Sequence, residues 1–231
     1  MKQQIEKIAK MRITEKEEKV INKTLSFDLN MVEVLENWSI PHGIREIIAN
    51  ALDETLISNS DDILIYQKEN GWGIRDFGRG IQIDHFTQDE NPEKYQGPPG
   101  VIGKFGVGLK DSLGVFHRHG IQPEIKSAYG TFNISMAPKE NFEEIQTLHV
   151  MYNDQANDMI GTDFFLKGVT AEQIEESKDL FLMFKDSRVI ENTKYGDVIE
   201  ATEKSNQVYI NGVLAAIEPN FLFTYNITNL T

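Results

Sequence analysis

Glu46, Asn50 and Asp53 stand at i, i+4 and i+7 in the run 45–54, with Ile47, Ile48, Ala51 and Leu52 between them. On a helix turning about 100° per residue, the three polar groups fall within roughly 60° of one another and the apolar residues crowd the other side. Two carboxylates and an amide aimed together suit a ligand that carries a metal, or a proton that has to be moved. A solvated helix face would mix in lysines, and the cation adjoining this run is Arg45. An ordinary acidic surface helix is the competing reading.

Downstream residues decide between the two. Asp76-Phe77-Gly78-Arg79-Gly80-Ile81 is an Asp-x-Gly-x-Gly turn. Gly100-Val101-Ile102-Gly103-Lys104-Phe105-Gly106-Val107-Gly108-Leu109-Lys110 is a glycine-rich loop running into a helical pattern, and Gly161-Thr162-Asp163-Phe164 follows. In this order and at these separations the set resembles the GHKL or Bergerat-fold ATPases, the group of the ninety-kilodalton heat-shock chaperones, MutL, type II topoisomerase ATPase domains, MORC proteins and sensor histidine kinases. The matching motifs run from Glu46 to Phe164, about half the chain, and their combination carries the specificity.

The resemblance implies an α+β fold: a two-layer α/β sandwich with a mixed, mostly antiparallel sheet and helices on one face. It also implies Mg2+-dependent ATP binding and hydrolysis, with Glu46 as the base that polarises water and Asn50 as the Mg2+ ligand. Asp76 and Thr162 would hold adenine, and Asp53 would order water or nucleotide near the adenine end. Gly78, Gly80 and Ile81 would line the base pocket. Gly103, Lys104, Phe105, Gly106, Val107, Gly108 and Lys110 would meet the phosphates.

The residues are chemically compatible with these roles. A carboxylate accepts a hydrogen bond from the exocyclic amine of adenine and faces an acceptor on guanine. Glycine-flanked N–H groups at a helix N-terminus favour anions. An acidic chain binding a polyanion needs a cation between them, and Asn50 suits a Mg2+ that keeps waters and phosphate oxygens as ligands. Glu46 lies one turn from Asn50, roughly 6 Å along the axis.

The elements that must position these groups follow from local pattern. Pro41 opens a helix to about residue 57. Runs 63–66 and 72–75 flank Asn70-Gly71, a hairpin that puts Asp76 at a strand end. Strands are predicted over 124–127, 131–135, 147–152 and 162–166, and a helix over 106–117. A capping box at Thr170 and Gln173 starts a helix expected to reach about residue 184. Val208-Tyr209-Ile210 and Val213-Leu214-Ala215 flank Asn211-Gly212 as a second hairpin. Residues 1–24 read as an amphipathic helical arm, 25–185 as the ATP-binding domain with a lid near 84–102, and 186–231 as an extension toward a further domain. Its apolar run 221–227 is expected to end with nothing to pack against.

The 231 residues are 40% hydrophobic, enough for a real core, and the net charge of −13 argues against bulk binding to nucleic acid or anionic membrane. The absence of cysteine excludes disulfides and thiolate metal sites and fits a cytoplasmic location. No apolar run approaches the roughly 20 residues of a bilayer span.

Rival motifs fail on order. The glycine loop follows Asp-Phe-Gly instead of preceding it, unlike a protein kinase. No His-Glu-x-x-His occurs, and residues 1–41 carry no phosphoacceptor histidine. Three functions remain: an ATPase driving ATP-dependent homodimerisation or conformational change on an unidentified client or downstream domain, a non-hydrolysing nucleotide-gated module, and a GHKL protein kinase.

Overall fold

The computed structural model describes residues 24–29, 31, 37–87, 96–103, 108–139, 142–200 and 206–229. The expected arm at 1–24, except Thr24, which opens a strand instead of closing a helix, the middle of the expected lid, and Lys104, Phe105, Gly106 and Val107 lie outside them.

The chain is α+β, with a seven-stranded antiparallel sheet carrying helices on one face. In chain order its strands are β1 (Thr24–Asp28), β2 (Leu64–Lys68), β3 (Gly71–Arg75), β4 (Gln122–Ser127), β5 (Gly130–Lys139), β6 (Phe142–Asn153) and β7 (Thr162–Lys167). They lie side by side in the order β1-β6-β5-β4-β7-β3-β2. Above them pack α1 (Ile40–Ser58), α2 (Asp84–Thr87), α3 (Gly108–Arg118) and α4 (Ala171–Lys178). Ile44, Ile47, Ile48 and Ala51 of α1 meet Leu113 and Phe116 of α3 over Ile74, Ile125, Phe132, Val150 and Leu166 of the sheet. This apolar face holds α1 flat on the sheet and turns its polar stripe toward the end of β3. No described helix is long and apolar enough to cross a membrane.

The helix from Pro41, the capping box at Thr170, and both hairpins are present. Three expectations change. The first hairpin turns on Glu69 and Asn70, because Lys68 already pairs with Gly71 and the positive φ of 42° falls on Glu69. Gly71 is needed instead by the neighbouring strand, since a Cβ there would lie 2.4 Å from the Leu166 carbonyl.

The helix after Thr170 stops at Lys178, not near 184. Phe181 leaves it to become fully buried and bridges to Val213, and Leu182–Phe184 forms a separate 3-10 turn.

The tail also packs. Strands β8 (Val189–Thr193), β9 (Gly196–Ile199), β10 (Gln207–Ile210), β11 (Val213–Ile217) and β12 (Thr224–Ile227) form a second sheet in the order β11-β10-β12-β9-β8. The run expected to end unpacked supplies β12, the central strand, parallel to β10 and antiparallel to β9.

Candidate functional site

Asp76 follows the last residue of β3 and is 5% exposed. Its backbone N–H donates to the Thr162 carbonyl (3.0 Å), and its Oδ1 accepts from Gly78 N (2.9 Å) and Thr162 N (3.2 Å). The Thr162 side chain bonds the carboxylate as well, and its Oγ1 accepts from Ile81 N at 3.0 Å. Ser127 on β4 closes the turn, its hydroxyl donating to the Ile81 carbonyl at 2.7 Å. Asp76, Gly78, Ile81 and Thr162 are thus one network joining the ends of β3 and β7.

Glycines make the crossing possible. Gly161 has φ +78° and a Cβ there would stand 1.9 Å from the Asp76 carbonyl; Gly80 has φ +86° and lies against Gly161. Burial pushes the Asp76 carboxyl above the usual aspartate range and the Glu54 charge adds to this, while the bonds from Gly78 and Thr162 offset part of it.

The network floors an open cleft. Asn50, Asp76, Gly80, Ile81 and Thr162 line it, with Ile47, Ile74, Leu109 and Phe164 as apolar walls. The sequence reading missed Glu54 and Arg79, which also line it. Arg79 donates from its backbone N (2.8 Å) and Nε (2.9 Å) to Glu54 Oε1, and from Nη2 to Oε2 (3.0 Å). Burial raises the Glu54 carboxyl, but the Arg79 bonds and charge outweigh it and leave the group below its ordinary value. Gly78 lies so close that a Cβ would be 2.4 Å from Glu54 Cγ, so the whole turn is stapled to α1. The signal was available: Glu54 is four residues beyond Asn50 on the same stripe, and Arg79 sits inside the glycine turn.

A second pocket continues past Asn50. It is lined by Glu46, Gly103, Gly108 and Asp111, with Ile210, Val213, Leu214 and Ala215 of the second sheet opposite. Glu46 Oε1 accepts from Arg45 Nε (2.9 Å) and Nη2 (2.5 Å), and the Arg45 guanidinium stacks on Trp38 at 4.9 Å. Glu46 Oε2 abuts the start of α3, where a Cβ on Gly108 would be 2.0 Å away. Burial, then the Glu46 charge, raise the Asp111 carboxyl above its ordinary value. Lys110, half-buried on α3, lines neither pocket.

Asp53 and Gly103 are bonded to each other. Asp53 is 1% exposed and turned from the cleft, its Oδ1 accepting from Ile102 N (2.7 Å) and Oδ2 from Gly103 N (2.9 Å). It lies at the edge of the helix stripe nearest the loop, so its two oxygens hold that loop. The Gly103 N–H is therefore engaged by protein.

Among the described residues no group of three His, Cys, Asp or Glu gathers as a metal cage. The donors present, the Asn50 amide beside Glu46, fit a Mg2+ whose remaining ligands are water and phosphate oxygens.

A family model described as Mycoplasma pneumoniae MPN635 N-terminal domain matches residues 172–231, most of α4 and the second sheet. A Mycoplasma pneumoniae protein described as uncharacterized is 34% identical over 206 residues, 87% of this chain and 83% of its own length. The chain belongs to that protein's family. Neither description names a ligand.

Proposed function

We propose that the cleft binds an adenine nucleotide with Mg2+ and that the chain hydrolyses it in the manner of the GHKL ATPases, driving dimerisation or a conformational change in a larger cytoplasmic assembly. One observation carries this reading: a buried carboxylate, Asp76, held by Thr162 and Gly78 at the floor of an open cleft whose other end is Asn50. Such a carboxylate accepts from the adenine amine and repels the guanine carbonyl. Asn50 lines both pockets, which suits a group bridging base site and phosphate end. Bound Mg2+ supplies the positive charge that an acidic chain lacks for a polyphosphate. Arg45 fixes one oxygen of Glu46, and the other faces the start of α3, where it can take a proton from water.

The Arg45 clamp also supports a second reading. A base whose charge is neutralised by its neighbour suits a module that binds nucleotide without turning it over.

Calorimetry with ATP, ADP and GTP, with and without Mg2+, on wild type and Asp76→Asn tests the site, and phosphate release tests turnover. Adenine-selective binding, strengthened by Mg2+ and lost in the mutant, is expected with slow release. Binding without release would favour the second reading; equal binding of GTP would reject the adenine assignment.

A further inference from the structure

Residues 100–103 run between α1 and the second sheet, with Ile102 and Gly103 lining the Glu46 pocket, and are held from both sides. On one side are the two Asp53 bonds to Ile102 and Gly103. On the other, Asn211 Nδ2 donates to the Val101 carbonyl at 3.2 Å. Three successive residues are thus tied to α1 and to the β10–β11 turn.

That turn is itself a fixed point. Asn211 N donates to the Ile227 carbonyl (2.9 Å) and Gly212 N to Asn226 Oδ1 (2.8 Å). Leu182 N donates to the Gly212 carbonyl and Leu214 N to the Leu180 carbonyl, each at 2.8 Å, which pins the hairpin to the chain leaving α4.

The turn does not need the Asn211 amide. Asn211 has φ 48° and Gly212 φ 79°, a pair of left-handed residues that glycine at 211 would satisfy equally. The amide has a cost, because its Oδ1 is buried with no hydrogen-bond partner among the described residues. Its one bond is to Val101, and the same hairpin presents Ile210 and Val213 across the pocket from Glu46 and Gly108.

We infer that Asn211 is a positioning residue for the loop at the phosphate end of the cleft, which makes the second sheet a working wall of the nucleotide site. The inference rests on the nucleotide reading above for its consequence, but not for its geometry. Displacement of Val101 would be transmitted along the backbone to Gly103, which lines the Glu46 pocket, so the shape of that pocket and the second sheet are coupled in both directions.

Asn211→Gly keeps the left-handed turn and deletes the amide, and Asn211→Asp keeps the turn and sets an acceptor against the Val101 carbonyl. Two readouts apply to the full chain. Without ligand, hydrogen exchange at the Ile102 and Gly103 amides should quicken by about tenfold in both variants, the loss of roughly one hydrogen bond. In calorimetry with Mg2+, ATP affinity should fall by about tenfold while adenosine affinity stays within about twofold. A turn-only role would leave both readouts of Asn211→Gly at wild-type values and overturn the inference while the nucleotide reading stands. Faster exchange with an unchanged ATP to adenosine ratio would overturn the coupling to the phosphate end. Failure of wild type to bind any adenine nucleotide would overturn the proposed function and this coupling together.

Discussion

Asp76 concentrates the chemistry of the cleft in one side chain. Its replacement by Asn keeps the shape and exchanges a charged acceptor for an amide that can present a donor to the adenine amine. Nucleotide affinity should fall by about 1.5–3 kcal/mol, the cost of a hydrogen bond to a charged group, and unaltered affinity in calorimetry would remove Asp76 from base recognition. The pH dependence has a definite sign. In the proposed adenine site the carboxylate must be ionised, and its value is raised by burial and by Glu54, so affinity should be full at neutral pH and decline as pH falls through a value above the ordinary aspartate range. Glu54→Gln removes one raising charge and should move that decline to lower pH. Glu46→Ala should abolish phosphate release with affinity within severalfold of wild type; undiminished release would mean another base.

Each working residue depends on an element that brings it to the cleft. The meeting of β3 and β7 depends on a glycine: Gly161→Ala adds a Cβ that would stand 1.9 Å from the Asp76 carbonyl, at φ +78°. Strain of this kind costs about 2–4 kcal/mol, so the denaturant midpoint should fall clearly, and an unchanged midpoint would show that the crossing can relax. Asp53 makes the corresponding connection between α1 and the 100–103 loop. Asp53→Asn sets an amide N–H against a backbone N–H and should cost roughly 2–3 kcal/mol, with faster exchange at Ile102 and Gly103 as its local signature.

At the scale of the molecule, the two sheets share a core. Phe181, fully buried with the residues of the first sheet, bridges to Val213 of the second, which packs against the same cluster. Calorimetric unfolding of the full chain should therefore show a single transition, and two resolved transitions would establish the sheets as independent units. Removal of the second sheet would uncover Phe181 and the far wall of the Glu46 pocket, so a fragment ending near residue 185 should be less stable than the whole and bind ATP more weakly.

Local rules in the sequence determined much of this. Proline at the start of α1, its apolar stripe, the Thr170 capping box, the Asn211-Gly212 turn and the alternating strands are written in residues close together in the chain, so their positions are legible without a fold. Helix periodicity likewise puts Glu46 and Asn50 on one face and the hairpin puts Asp76 at a strand end, whereas Thr162 joined the candidate set only through the resemblance to the GHKL ATPases. Tertiary structure decided what depends on partners distant in sequence. It paired Arg79 with Glu54 across 25 residues and turned Asp53 from the cleft to the loop. It gave Gly71 to the packing of β7, and made an apolar tail the central strand of a second sheet. In each case a charge or an apolar surface found its counterpart only when the chain closed on itself, and local pattern carries no record of that meeting.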